Sequence, residues 1–161
     1  MLEVNLIAVG KLKESYLREA CTEYSKRLGA FCRLNIIEIQ EHRLGDAPSG
    51  KEISVALTEE AKSMENFLNV KNSYNFAMCI EGKMLSSEEL AAQVQKISVD
   101  GKSTLNFVIG SSYGLADEFK TRADLKLSIS RMTFPHQLAR VMLLEQIYRA
   151  FQIANHGKYH K

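Results

Sequence analysis

The chain has 161 residues, the usual size of a single domain, and 45% of them are apolar and 25% charged. This composition is typical of a folded globular protein and excludes an intrinsically disordered chain. Lysine and arginine number 21 against 19 aspartate and glutamate, so binding to polyanions through overall positive charge is also excluded. We therefore expect one globular domain over residues 1–161, in which only a local basic site could bind nucleic acid.

The cysteines and the N-terminus indicate where the protein works. Three cysteines are odd in number and form no CxxC pair, which argues against a disulfide framework and a thiolate zinc site. Glu3 lies where a secretory signal carries positive charge, and no apolar stretch approaches the roughly 18 residues of a membrane span. We expect a cytoplasmic protein that binds no membrane.

Strand-like and helix-like segments alternate along the chain, which predicts an α/β fold with a mostly parallel sheet flanked by helices. Apolar residues recur every three or four positions from Leu17 to Phe31 and from Ile53 to Leu68, and both patterns predict helices, the second with Glu60 on its polar side. Glycine and proline between the second strand and the second helix predict a mobile loop over residues 42–50. The predicted strands are 2–9, 34–39, 75–80, 104–109 and 125–128.

Two further helices follow. Ser86 and Glu89 have the spacing of a capping box, which predicts a third helix from Ser86, and Pro135 suits the first turn of the last helix. Glu145 and Arg149 lie four residues apart in that last helix and predict an intrahelical ion pair. Its wide apolar face predicts either a homodimer contact or a helix that only covers its own sheet; the face comprises Leu138, Val141, Leu144, Ile147, Tyr148 and Phe151.

Three predicted strands end in segments that suit a ligand. The fourth strand runs into Gly110, the third into a turn at Gly82, and the fifth leads through residues 128–136 into the last helix. An open parallel sheet binds ligands at the carboxyl ends of its strands, and a glycine there lets a ligand approach the backbone. The pattern predicts one pocket, although an ordinary strand-to-helix turn at Gly110 explains that glycine equally well.

Two clusters of polar residues follow these strand ends. His136 and Arg140 share one face near the positive N-terminus of the last helix; the alternatives are a local hydrogen bond for His136 and a surface carboxylate partner for Arg140. Residues 155–161 combine positive and aromatic side chains that suit phosphates and an unpaired base, unless they are only a solvated end. His156 and His160 have a metal-like spacing, but Gly157 weakens a helix there, so we expect no metal.

Several stretches together resemble the RlmH family of bacterial methyltransferases, which belong to the SPOUT class and modify a pseudouridine in 23S ribosomal RNA. The resemblance covers essentially the whole chain and is most specific from Thr133 to Phe151. It implies a trefoil knot over about residues 104–155, which is an exception to the rule that chains avoid knots. The matching stretches are 107–110 with Gly114 and Leu115, 132–140, 144–151 and 159–161.

The resemblance also implies the chemistry. The cofactor is S-adenosylmethionine, no metal is needed, and the enzyme is a homodimer in which the tail of one subunit helps to build the site of the other. The substrate is N3 of the pseudouridine within the assembled ribosome. A non-catalytic ribosomal RNA-binding dimer of the same fold is the alternative.

By motif, the resemblance assigns the site residues. The candidates for orienting the base or its phosphates are His136, Arg140, Tyr159 and His160; the N3 proton acceptor is His136 or His160, unless positive charge stabilises the deprotonated base directly. Relatives commonly have a glycine where this chain has Ser111 and a proline where it has Lys158, and we expect Ser111 to tighten the cofactor turn because serine tolerates positive φ poorly. The cofactor contacts are Met78, Gly110, Ile129, Ser130, Arg131, Met132, Thr133 and Phe134.

Overall fold

The computed structural model describes residues 1–159, so His160 and Lys161 lie outside the described residues. Among these residues, five strands form one sheet in the order β2-β1-β4-β3-β5, and every neighbouring pair is parallel. The predicted α/β fold with helices around a parallel sheet is confirmed. The strands are β1 (Glu3–Val9), β2 (Arg33–Ile39), β3 (Ser73–Met84), β4 (Thr104–Ile109) and β5 (Leu125–Ser128); the helices are α1 (Ser15–Leu28), α2 (Gly50–Leu68), α3 (Ser87–Val99), α4 (Asp117–Arg122) and α5 (His136–Ala154).

Two elements differ from the sequence prediction. Strand β3 continues to Met84, and the predicted turn at Gly82 is a register shift between Met78 and Lys83 inside the strand. Helix α4 was not predicted, because six residues are too few to show a helical repeat. The trefoil knot stays a prediction.

The sheet is buried on both faces, as is usual for parallel sheets. Leu6 and Phe107 point to one side, where α1, α3 and α5 pack, while Ile7 and Val108 point to the other, where α2 and α4 pack. Consecutive strand residues face opposite ways, so each strand contributes to both clusters. This explains why the sequence of β4 is almost continuously apolar.

Capping boxes begin two of the helices. The Ser86 hydroxyl accepts a hydrogen bond from the backbone N–H of Glu89, and the Glu89 carboxylate accepts one from the backbone N–H of Ser86. These two bonds confirm the predicted start of α3. A second box, between Ser49 and Glu52, begins α2 three residues before the predicted Ile53. Pro135 lies immediately before α5 and not in its first turn.

Glu60 was predicted on the polar side of α2, and this was wrong. Only 4% of Glu60 is exposed, because the buried residues of α2 follow a stripe of Ala56, Glu60, Met64 and Leu68 that is rotated from the predicted one. The carboxylate accepts a hydrogen bond from the backbone N–H of His42 at 2.9 Å and so holds the start of the 42–50 loop. Burial raises the pKa of Glu60.

Helix α5 uses most of its apolar face within the chain. Leu144 and Ile147 are buried, and Phe151 stacks on Phe31 with 6.0 Å between ring centroids, whereas Leu138 is 37% exposed. The predicted ion pair between Glu145 and Arg149 is confirmed at 2.7 Å. Among residues 1–159, no helix is both long and apolar enough to cross a membrane.

Four asparagine side chains form a continuous hydrogen-bonded row across β2, β1, β4 and β3. Asn35 donates to Asn5 at 2.8 Å, Asn5 donates to Asn106 at 2.9 Å, and Asn106 donates to Asn75 at 2.8 Å. These residues are also direct partners in the strand register. A shift of any of these strands by one residue would break the row, so it specifies the register.

We expect Asn106→Ala to lower the free energy of unfolding by about 2–4 kcal/mol. The change removes the acceptor of Asn5 and the donor to Asn75 in a residue that is 0% exposed. Urea unfolding measures the loss. Asn66→Ala, on the exposed surface of α2, is the control and should change stability by less than about 0.5 kcal/mol; equal effects of the two variants would contradict a structural role for the row.

Candidate functional site

One cavity of about 720 Å³ lies at the carboxyl edge of the sheet. It is bounded by the outer part of β3, the loop after β4, the segment after β5 and the first turn of α5. Its volume lies in the range of small-molecule sites. Of the eight predicted cofactor contacts, Arg131 does not line the cavity; the seven that do are Met78, Gly110, Ile129, Ser130, Met132, Thr133 and Phe134.

The loop after β4 folds back on itself at Gly110. A Cβ atom at this position would collide with the backbone carbonyl of Gly114, so the turn has no room for a side chain. The N–H of Gly114 donates to the carbonyl of Ser111 at 2.8 Å, and Gly114 has φ 84°, which favours glycine. Glycine at 110 is therefore required by contact within the loop.

Ser111 does not strain this turn. Among residues 1–159, the non-glycine residues with positive φ are Asn72 and His156, so the reason given for a tighter turn, a positive φ at Ser111, was wrong. The Ser111 hydroxyl instead accepts a hydrogen bond from the backbone N–H of Tyr113 at 3.3 Å. Serine therefore supports the same turn that a glycine would form.

The register shift in β3 brings a charged pair to the cavity. A Cβ at Gly82 would lie 2.7 Å from the backbone of Leu127, so close packing of β3 on β5 requires a glycine there. Next to it, Glu81 binds Lys120 of α4 at 2.7 Å, and both residues line the cavity. The hydrogen bond from Lys120 lowers the pKa of Glu81. Sequence reasoning missed this pair, because the two residues lie 39 positions apart and α4 was not predicted.

Two hydrogen bonds between serine hydroxyls and the backbone hold the segment after β5. The Ser128 hydroxyl donates to the carbonyl of Ser130 at 3.0 Å, and the Ser130 hydroxyl accepts from the N–H of Met132 at 3.0 Å. These bonds fix a stretch that has no regular secondary structure. Its backbone amides and carbonyls are thereby held in a definite geometry beside the cavity.

His136 lies in the cavity wall at the first residue of α5 and is partly buried. Burial lowers the pKa of the imidazole below its ordinary value; Arg140 and Lys13 lower it further, and Glu41 opposes them. The imidazole is therefore mostly neutral at pH 7 and has a free lone pair on one nitrogen. This state suits a proton acceptor.

Arg140 is not among the residues that line the cavity. It is 2% exposed, and its guanidinium binds Glu38 at 2.8 Å and the carbonyl of Gly10 at 3.2 Å. Pairing with a carboxylate was the alternative that the sequence left open for Arg140. The pair connects α5 to β2 and to the end of β1, and so positions the helix that carries His136.

The described part of the tail lies on its own α5. The Tyr159 hydroxyl donates to Glu145 at 3.0 Å, and its ring contacts Tyr148 at 4.9 Å between centroids. Burial alone would raise the pKa of Glu145, but hydrogen bonds from Tyr24, Arg149 and Tyr159 lower it. Tyr159 does not line the cavity of its own chain, and the predicted role of His160 falls outside the described residues.

Residues 1–159 bring together no group of three His, Cys, Asp or Glu side chains of the kind that holds a metal ion. The absence of a metal stays a prediction.

The sequence from residue 2 to residue 160 matches the family described as "Predicted SPOUT methyltransferase". Proteins named "Ribosomal RNA large subunit methyltransferase H" from Clostridium acetobutylicum, Clostridium kluyveri and Clostridioides difficile are 48%, 47% and 46% identical to it. Each alignment spans 160 residues, 99% of this chain and 100% of the relative.

A solved structure has the same fold. The crystal structure of a "Probable Methyltransferase" from Bordetella pertussis Tohama I superposes with a TM-score of 0.54 and 15% identity, over 93% of this chain and 96% of that one. At this identity, the likeness establishes the fold alone. The match over residues 2–160 and the full-length relatives show that this chain belongs to the RlmH family of SPOUT methyltransferases.

Proposed function

We propose that this protein is a ribosomal RNA methyltransferase that transfers a methyl group from S-adenosylmethionine to N3 of a pseudouridine in 23S ribosomal RNA of the assembled ribosome. The observation that carries the proposal is the convergence of three strand-end segments on one cavity with a neutral histidine in its wall. The full-length similarity to proteins named for ribosomal RNA methylation supports the choice of substrate.

The cavity fits a nucleoside cofactor. Its wall combines apolar side chains, such as Met78, Leu115 and Ile129, with the backbone of the segment after β5. Apolar side chains suit the faces of an adenine ring, and fixed backbone amides and carbonyls suit its edge. When bound, S-adenosylmethionine supplies an electrophilic methyl group on a sulfonium. Gly110 and the run from Ile129 to Phe134 would hold it, with Arg131 at the rim of the cavity.

His136 is our proposed acceptor of the N3 proton. Attack on a methyl group requires a lone pair on N3, so the N3 proton must leave before or during the transfer. His136 lies in the cavity wall and is mostly neutral at pH 7. The ion pair between Arg140 and Glu38 holds the same helix, α5, in place. Arg140 is therefore a positioning residue in this proposal.

We further propose that the protein works as a homodimer in which Tyr159 and His160 of one subunit act at the cavity of the other. Tyr159 lies on its own α5 and not in its own cavity. Leu138 and Phe134 are exposed apolar residues beside the cavity and provide a surface for the partner. The alternative of a non-catalytic RNA-binding dimer rested on impairment of the cofactor turn by Ser111; the absence of a positive φ at Ser111 and its hydrogen bond with Tyr113 support the catalytic dimer instead.

We expect the protein to bind S-adenosylmethionine and Gly110→Ala to weaken binding at least about 10-fold, because the added methyl group displaces the Gly114 carbonyl and opens the turn. Isothermal titration calorimetry measures the affinity, and circular dichroism checks the fold. Gly45→Ala is the control, since nothing lies within 4 Å of a Cβ there. No binding to the folded wild-type protein would refute the cofactor assignment.

We expect His136→Gln to lower the rate of methyl transfer about 10²- to 10⁴-fold at pH 7 through loss of the base. The wild-type rate should fall with acid, with a midpoint below the ordinary pKa of 6.5, because burial lowers the pKa of His136. Single-turnover methylation of ribosomes between pH 5 and pH 8 measures both. If the glutamine variant keeps the same acid limb, another group accepts the proton.

A mixing experiment tests the tail. Removal of residues 158–161 should abolish methylation and leave the affinity for S-adenosylmethionine unchanged, because we assign the tail to the RNA and the methyl transfer and assign the cofactor contacts to Met78, Gly110 and the run from Ile129 to Phe134. If the tail acts on the partner, mixing this truncated chain with Gly110→Ala should restore about one quarter of the wild-type activity, since half of the dimers then contain one intact site. The truncated chain and Gly110→Ala, each assayed alone, are the controls. No recovery after confirmed subunit exchange would show that the tail acts on its own subunit.

A further inference from the structure

The turn between β1 and α1 carries two lysines, Lys11 and Lys13, and is hydrogen-bonded to α5, whose first residue, His136, lines the cavity. The backbone N–H of Lys13 donates to the side chain of Gln137 at 3.3 Å, and Gln137 follows His136 in the first turn of α5. The guanidinium of Arg140, also in α5, donates a hydrogen bond to the carbonyl of Gly10, which begins the turn between β1 and α1. Lys11 and Lys13 are exposed and form no ion pair with residues 1–159.

A third cation lies at the segment after β5. Arg131 is exposed and makes no ion pair within residues 1–159, while its neighbours Ser130 and Met132 line the cavity. Several other cations of the described chain are already neutralised: Lys120, for example, binds both Glu81 and Asp117. Cations without an ion-pair partner among residues 1–159 therefore lie in the turn before α1 and in the segment after β5.

The surroundings of these cations favour a nucleic acid. Tyr16, in the first turn of α1, is 65% exposed and offers a ring on which an unpaired base can stack. Glu14 and Glu41 lie on the same side of the molecule, and Glu41 acts on His136 against Lys13. The guanidinium of Arg18 is already bonded to the carbonyls of Leu12 and Lys13, which leaves the two lysines and Arg131 as the cations without such a bond here.

We propose that Lys11, Lys13 and Arg131, here called the rim strip, bind the ribosomal RNA phosphates that flank the target nucleotide. This inference rests on the proposed function. A base that enters the cavity leaves its backbone at the rim, and cations on both sides of the opening would hold the phosphates before and after it. Such contacts position the RNA without reading its sequence.

Binding of large ribosomal subunits, measured by co-sedimentation over a range of salt concentrations, tests the rim strip independently of methylation. Each single change, Lys11→Ala, Lys13→Ala or Arg131→Ala, should raise the dissociation constant about 3- to 10-fold and reduce the slope of log affinity against log salt by about 0.7. Glu41→Gln should act in the opposite direction and strengthen binding, because it removes a negative charge beside the strip.

Lys71→Ala and Arg33→Ala are matched controls. Both residues are exposed cations at the amino edge of the sheet, on the side away from the cavity. They should leave the dissociation constant and the salt slope unchanged, and Lys11→Ala, Lys13→Ala and the two controls should alter the affinity for S-adenosylmethionine by no more than about twofold.

The outcomes separate this inference from the proposed function. If the rim-strip variants bind ribosomal subunits with the wild-type salt slope, the rim strip is wrong, and methylation by the wild-type protein still stands. If the rim-strip variants lose affinity but the wild-type protein methylates nothing, the docking surface stands and the proposed reaction fails. Absence of any salt-sensitive binding by the wild-type protein would overturn the rim strip as well.

Discussion

The row of asparagine amides across β2, β1, β4 and β3 fixes the register of these four strands. Asn106 is completely buried at its centre and also donates to the carbonyl of Phe67 at the end of α2. Unpaired amides would be costly in this interior, so each strand has one register in which every amide finds a partner. Because β3 and β4 are parallel and aligned in this way and β5 pairs with β3, the outer part of β3, the loop after β4 and the segment after β5 line the same cavity.

The walls of that cavity depend on backbone contacts that exclude side chains. Gly110 lies against the backbone of Gly114, and Gly82 lies against that of Leu127. Close packing of this kind leaves few alternative conformations to the loop after β4 and to the paired strands β3 and β5. A preformed site lowers the entropy that binding must overcome.

Arg140 and His136 lie on the same helix, α5, but have different surroundings. Arg140 and Glu38 connect α5 to β2 behind the cavity, while His136, one turn earlier in the same helix, lies in the cavity wall with a lowered pKa. A guanidinium buried next to the imidazole disfavours a second positive charge there. The ion pair with Glu38 therefore keeps the helix in place, and the Arg140 charge also helps to keep His136 neutral, which is the state that the proposed proton acceptor needs.

The sequence by itself determined the α/β class, the five strands, the start of α3 and the segments that follow β4 and β5, because these depend on local periodicity, capping and turn residues. The resemblance to a family named seven cofactor contacts that line the cavity, and His136 lines it as well. Only the tertiary structure decided that Glu60 is buried, that Arg140 faces Glu38, that Glu81 meets Lys120 and that four asparagines form one row. Each of these contacts joins residues far apart in the chain or depends on how a helix is rotated against the sheet. The local sequence does not identify such a partner, because the same polar residue can face solvent or form a buried ion pair. Only the packing of the folded chain decides between the two.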